Sequence, residues 1–230
     1  DLLLAELRRR NVPCVRWNTD HFPLDSVLTY RASNGDFSAE FVSDGRRVDL
    51  ETIASIWWQW DQPAGFPAEL AGEERRFAET ESQLALAALT TIGRFLWINN
   101  PICERAARSK PAQLFVAGEV GLDIPRTVIT NDPDEVRQFV AAVQTQTIYK
   151  GLSQARDLEP GKALFTGLLT PERIADLDLI RVTPGIFQER VQKSYEIRVT
   201  VVGTRIFSAK IDSQAHAKAA LDWRPFLQDL

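Results

Sequence analysis

The sequence predicts an α/β protein built as α+β lobes, and three observations carry that expectation. Segments of helical and of strand periodicity alternate along most of the chain. Asn34-Gly35 and Asp44-Gly45 each stand between β-like runs, the pattern of a two-residue hairpin turn. With 230 residues the chain is long enough for a sizeable core and more than one lobe.

The elements follow in order. "DLLLAELRRR" reads as an amphipathic helix and "NVPCVRWN" as a short strand, the back half of a βαβ unit whose first strand is expected to lie outside the chain. The hairpin region "TYRASNGDFSAEFVSDGRRVDL" comes next, and "IASIWWQW" reads as another strand. A long helix is expected from Glu69 to Leu96, with Phe77, Leu84, Leu86 and Leu89 among its buried positions. "WINNP" is a short strand broken by Pro101.

A second region starts near Ala106. "ARSKPAQLFVAGEVGL" is expected to be a helix, with Ser109 as its N-cap and Gly121 as its stop. "IPRTVIT" is a strand, and "NDPDEVRQFVAAV" a helix with Pro133 near its first position and acids in its first turn. "TQTIYK" is a strand ending in Lys150. The segment from Gly151 to Gly167 has no period and is expected to be a mobile loop. "TPERIADL" is a short capped helix, and "YEIRVTVVGTRIFSAKI" an antiparallel hairpin turning at Gly203-Thr204. No internal repeat or low-complexity segment interrupts the pattern.

Composition narrows the function. Apolar residues make up 44% and charged residues 25%, and the formal net charge is -4. An acidic surface gives no general pull toward nucleic acid or anionic lipid, so neither is an expected partner. No apolar run approaches the length of a membrane span, and no signal-peptide pattern opens the chain. Cys14 and Cys103 form no C-x-x-C and no cluster with histidine, so no zinc site or disulfide framework is expected. A cytoplasmic setting follows as the expectation. The chain has no methionine and opens at Asp1, which reads as a record beginning inside a longer reading frame or after processing. His21 and His216 have no partner at metal or triad spacing and are given no catalytic role.

The chemistry concentrates in "FQERVQKSYEIRVTVVG", Phe187 to Gly203. A charged strand edge is ordinarily just solvated, and a single lysine ordinarily a surface residue. Here the residue types fall in an informative order. Gln188, Glu189 and Val191 stand where the chain links two lobes, and an extended backbone there offers a donor and an acceptor to a purine edge. Glu196 is a carboxylate suited to accept from ribose hydroxyls. Arg198, two residues on, shares its strand face and can grip a phosphate. Lys110 opens a helix, where dipole and side chain both favour an anion. Lys150 ends a strand ahead of the glycine-containing loop.

With "RWNTDHFP", "WINNP", "ARSKPAQLFVAGEVGLDIPRTVITNDPDEVRQF", "IYK", "FQERVQKSYEIRVTVVGTRIFSAKIDSQ" and "DWR", these residues make the chain resemble the ATP-grasp ligases of the MvdC/MvdD type, the ribosomal-peptide maturases that make graspetides such as the microviridins. The matching runs cover nearly the whole chain. The resemblance implies an ATP-grasp fold. Residues 1–62 would be an N-terminal pre-ATP-grasp-like lobe, 63–105 a connecting helix and strand, 106–184 the central lobe and 185–230 the start of a truncated C-terminal lobe.

The resemblance also implies site roles. Lys110 and Lys150 would hold ATP phosphates, Gln188, Glu189 and Val191 would frame the adenine, and Glu196 would take the ribose. Arg198 and Arg224 would act catalytically on the γ-phosphate and the acyl phosphate. Asp222 would orient Arg224, while Ser109 and Gln113 read as structural. The implied cofactors are ATP and Mg2+, and the implied partner is a precursor peptide with leader and core; a homodimer is left open. The implied reaction phosphorylates Asp or Glu side chains and closes ω-amide or ω-ester rings.

Two departures qualify the resemblance. Gln59-Trp60 stands where the family often has Arg-Arg, and the family's Mg2+ carboxylates would fall past Leu230. No metal ligand is therefore expected within the chain, and residues 1–230 alone are expected to be inactive. Two other readings stand beside this one: an ATP-grasp ligase adding an amino acid to a carboxylate, as glutamate ligases do, and a non-catalytic nucleotide- or peptide-binding module.

Overall fold

In a computed structural model, which describes residues 2–59, 64–153 and 165–226, the N-terminal stretch folds as helix α1, Leu2–Arg9. It ends in a Schellman turn: Asn11 takes φ 55°, and the amides of Asn11 and Val12 donate to the carbonyls of Arg8 and Leu7 at 3.0 and 2.9 Å. The strand expected over "NVPCVRWN" is not formed. Residues 12–18 join no sheet, and without a ladder partner an extended segment gains nothing from its strand propensity. Trp17 is used for packing instead. Its ring stacks on Phe41 at 4.7 Å, and its indole N–H donates to Ser26.

β1 (Ser26–Ser33), β2 (Asp36–Ser43) and β3 (Arg46–Asp49) form the expected antiparallel meander. Both turns are two residues long, and Asp44 and Gly45 both have positive φ, as a type I′ turn requires. β4 (Ser55–Trp57) and β5 (Leu96–Ile98) pair in parallel, joined by the long helix α2, Gly72–Ile92.

The face of α2 turned inward holds two of the four expected residues, Leu86 and Leu89, and not Phe77 or Leu84. Ser82, Leu86 and Leu89, at i, i+4 and i+7, face the core cluster of Ala39, Phe41, Leu50 and Phe95. Phe77 and Leu84 are seven apart on another stripe and are 69% and 62% exposed. Tyr30 ties the meander to this helix by donating from its hydroxyl to the Ala85 carbonyl, and burial pushes its pKa up to about 12. α3, Pro101–Ala107, was not anticipated. Its start is legible in hindsight, because Asn100 Oδ1 accepts from the amides of Ile102 and Cys103 ahead of a proline-led first turn.

The chain divides after Ala106 into two compact units. The second opens with α4, Lys110–Glu119. Ser109 occupies the N-cap position, but its side chain makes no cap bond. Pro111 sits at the second helical position and lacks one of the N–H groups a cap would bind. The helix stops as expected: Gly121 takes φ +76°, and the amides of Gly121 and Leu122 close a Schellman turn on Gly118 and Ala117.

A four-stranded sheet follows, built from β6 (Thr127–Thr130), β7 (Thr147–Lys150), β8 (Gly167–Leu168) and β9 (Gly185–Glu189) in the order β6-β9-β7-β8. Helix α5, Pro133–Ala142, carries the expected proline and acidic first turn and is capped by Asp132. α6, Pro171–Ala175, has Thr170 at its N-cap position without a side-chain cap bond. Val136, Leu177 and Phe187 form the buried centre on one face of the sheet, joined by Val128, Phe139 and Tyr149. Burying side chains of that size stabilises by about 1.5–3 kcal/mol each. Much of the Gly151 to Gly167 loop, residues 154–164, lies outside the described residues, and so does its expected mobility.

β10 (Glu196–Val202) and β11 (Arg205–Ile211) pair as the expected hairpin, turning at Gly203 with φ 59°. Among the described residues no helix is long and apolar enough to cross a membrane.

Candidate functional site

Strand register assembles the site. Gln188 lies opposite Thr127 on β6 and Ile148 on β7, and Lys150 lies opposite Ile186. Since side chains alternate along a strand, Thr127, Ile148, Lys150, Ile186 and Gln188 share one face. Phe187, Tyr149 and Val128 occupy the other, packed under the helices. One face of the sheet is thus core and the other carries Lys150 at the end of β7.

Lys150 is not alone there. Its ammonium donates to Gln188 Oε1 at 2.7 Å. Burial holds its pKa below the ordinary lysine value, and repulsion from Arg224, Lys110 and Lys193 adds to that, with Asp222 pulling the other way. A half-buried lysine with several neighbouring cations is a candidate position for an anion.

Arg224 is held by Asp222, which accepts from its Nε at 2.8 Å and from its Nη2. Asp222 Oδ2 also accepts from the Thr166 amide at 3.2 Å. Burial opposes ionisation of Asp222, but Arg224 and the two backbone amides that donate to it outweigh this and bring its pKa down to about 2. The orienting role read for Asp222 matches this contact. Lys193 donates to Glu196 Oε1 at 2.5 Å and to the Leu221 carbonyl at 3.2 Å. It therefore ties the start of β10 to the segment that carries Asp222 and Arg224.

Lys110, Lys150, Glu196 and Arg224 accordingly come together. Lys110 is the first residue of α4, and the field of Glu196 reaches Arg224. Arg198, two residues beyond Glu196 on β10, is exposed and makes no ion pair among the described residues. Gln188 and Glu189 are the last two residues of β9, so the backbone is extended there. The Gln188 side chain is engaged at both ends, by Lys150 and by Thr127, so it supports a lysine and is not free to meet a base.

The Glu189 amide donates to the Arg126 carbonyl at 2.9 Å, and its carboxylate accepts from Thr145. The Val191 amide has no backbone partner among the described residues. It borders a cavity of about 290 Å³ lined by Arg190, Val191, Gln192, Lys193, Gln214 and Ala220. Gln113 is structural, its amide donating to the Ala107 carbonyl. Of the Gln59-Trp60 pair, Trp60 lies outside the described residues.

Sequence reasoning overlooked Lys193 and Thr127. Lys193 had a signal in its place three residues before Glu196. Thr127 had none, because its role depends on register across strands far apart in sequence.

Residues 1–105 match the family model of the MvdD pre-ATP grasp domain. No curated protein sequence matches the chain. Among solved structures, a RiPP-associated ATP-grasp ligase of Chryseobacterium gregarium, in complex with ADP and a leader and core peptide, is 25% identical with TM-score 0.87 over 98% of this chain and 69% of that one. The macrocyclase MdnC of Microcystis aeruginosa MRC, bound with precursor peptide MdnA, is 26% identical with TM-score 0.84 over 93% of this chain and 71% of that one. The macrocyclase MdnB of the same organism is 27% identical with TM-score 0.77 over 90% and 69%.

Proposed function

With residues 1–105 forming an MvdD-type pre-ATP-grasp domain and the chain folded as an ATP-grasp ligase of the MvdC/MvdD type, we propose that it serves an ATP-dependent carboxylate ligase that closes rings in a ribosomal precursor peptide. The observation that carries this reading is the convergence of Lys110, Lys193 and Arg224 on Lys150, in the same unit as the cavity bordered by Val191.

A carboxylate is a poor electrophile because its oxygen is a poor leaving group. Transfer of the γ-phosphoryl group of ATP to a carboxylate oxygen of Asp or Glu gives an acyl phosphate and ADP. A lysine amine or a Ser/Thr hydroxyl of the same peptide then attacks the acyl carbon, loses its proton and expels phosphate. An ω-amide or ω-ester bond remains, at the net loss of one water from the peptide.

The protein's part is positioning and charge neutralisation. Lys110 and Lys150 would hold the phosphate tail, and Arg224, fixed by Asp222, would meet the phosphoryl group in flight. The carbonyl of Glu189 and the amide of Val191 would frame the adenine edge, and Glu196 would accept from the ribose. Among the described residues no three His, Cys, Asp or Glu side chains gather as a metal-binding group. Mg2+ bound with ATP ordinarily takes only one or two carboxylates beside the phosphates, and the cations named above would share the neutralisation of the phosphate tail within this chain.

The test is mass spectrometry of a short peptide rich in Thr/Ser, Lys and Asp/Glu after incubation with the full-length protein and ATP, with ADP measured in parallel. Ring closure lowers the peptide mass by one water per ring. With free glutamate and other amino acids also supplied, a rise in mass would instead indicate amino-acid addition of the glutamate-ligase kind. ATP binding with no change in the peptide would indicate a binding module.

A further inference from the structure

Lys150, Gln188 and Thr127 form a hydrogen-bond chain with a fixed direction across three strands. The Thr127 hydroxyl donates to the Pro125 carbonyl at 2.7 Å. Its single proton is thereby committed, and the same oxygen can only accept from Gln188 Nε2, which lies 2.8 Å away. That sets the Gln188 amide with its nitrogen toward Thr127 and its oxygen toward Lys150. An ammonium has donors only, so the 2.7 Å contact to Gln188 Oε1 agrees with this direction. Gln188 is only 9% exposed, so water has little access to substitute for either partner. The polarity is set at both ends: a carbonyl that cannot donate and an ammonium that cannot accept.

We propose that Thr127 is a positioning residue for nucleotide binding, orienting the Gln188 amide and through it aiming the Lys150 ammonium. The inference rests on the reading of Lys150 as a phosphate ligand. A long lysine side chain loses rotamer freedom when it grips a ligand, and a chain that holds it beforehand reduces that loss. The choice of an amide is chemically specific. It fixes the ammonium without adding negative charge, so the full cation remains for phosphate. Register explains why the three groups can meet, since Thr127 and Ile148 flank Gln188 on either side of β9 and Lys150 is two residues beyond Ile148 on the same face.

The test compares Thr127→Val, which keeps the shape and loses the hydroxyl, with Thr127→Ser, which keeps it. Two quantities are read in the full chain: affinity for ATP with Mg2+ by calorimetry, and the pH profile of Lys150 acylation by acetic anhydride, mapped by peptide mass without nucleotide. Thr127→Val is expected to weaken ATP binding by about threefold to tenfold. It is also expected to move half-acylation of Lys150 to lower pH, since the ammonium loses a fixed acceptor. Thr127→Ser is expected to stay within about twofold and to keep the parent profile.

Parent behaviour in both readouts for Thr127→Val, or equal impairment in the serine variant, would overturn the proposal. If Thr127→Val does not fold, Gln188→Met gives the same two readouts with the same expected directions. If the parent binds no ATP, the phosphate-ligand reading fails on its own, and the acylation profile still decides whether Thr127 controls Lys150.

Discussion

The ammonium of Lys150 lies 2.7 Å from the side-chain oxygen of Gln188, a neutral partner; burial, and after it the repulsion of neighbouring cations, lowers its pKa. An amide in that position accepts from the lysine without cancelling its charge.

Gln188→Glu is therefore expected to act opposite to its conservative shape. The new carboxylate would pair with Lys150, raise its pKa and repel the phosphate tail. A hydrogen bond between charged groups contributes about 1.5–3 kcal/mol, so competition of that size would weaken ATP binding roughly tenfold or more. Calorimetric titration with ATP checks it, and unchanged affinity would remove Lys150 from the phosphate site.

Asp222 gives the second prediction, in stability against pH. Its folded pKa of about 2 lies below the ordinary 3.8. The folded state therefore binds fewer protons than the unfolded chain between those values. The resulting stabilisation, on the order of 2 kcal/mol, is present above about pH 4 and lost as pH falls through about 2. Asp222→Asn should reduce the melting temperature at pH 6 and flatten its fall between pH 4 and 2. Parallel curves for the two proteins would refute the assignment.

The contrast between Lys150 and Thr127 marks what could be read in advance. Hairpins announced by Asn34-Gly35 and Asp44-Gly45, the stop at Gly121 and the helix led by Pro133 are local devices, written in neighbouring residues. On α2 the expectation holds for Leu86 and Leu89 and fails for Phe77 and Leu84, which are equally apolar; only the three-dimensional packing decides which stripe faces the core. The same holds at the site. Lys110, Lys150 and Glu196 are singled out by type and order, and Arg224 through the resemblance. The engagement of Gln188 by partners 38 and 61 residues away depends on strand register, which one sequence does not display.

Glu196 carries the third prediction. Lys193 occupies its Oε1, and no described residue engages Oε2, which is free to accept from a ribose hydroxyl. The protein should therefore prefer ATP to 2′,3′-dideoxy-ATP by about tenfold. Glu196→Gln should shrink that preference more than it weakens binding of the dideoxy analogue. Competition assays with the two nucleotides read both quantities, and an equal loss for each would deny Glu196 the ribose.

Gly185→Ala separates the sheet's supporting face from its functional one. A Cβ at Gly185 would stand 2.4 Å from the Tyr149 ring, which packs against Phe187 at 5.3 Å between centroids. Something must move, and overpacking of this kind costs about 1–3 kcal/mol. Tyr149 and Lys150 are neighbours on β7 but face opposite sides of the sheet. The ring can yield toward the helices without displacing the lysine. The variant should melt several degrees lower, yet bind ATP within about twofold of the parent at temperatures where it is folded. A large loss of ATP affinity without loss of stability would mean that the two faces are coupled through the β7 backbone, contrary to the division of roles drawn from the register.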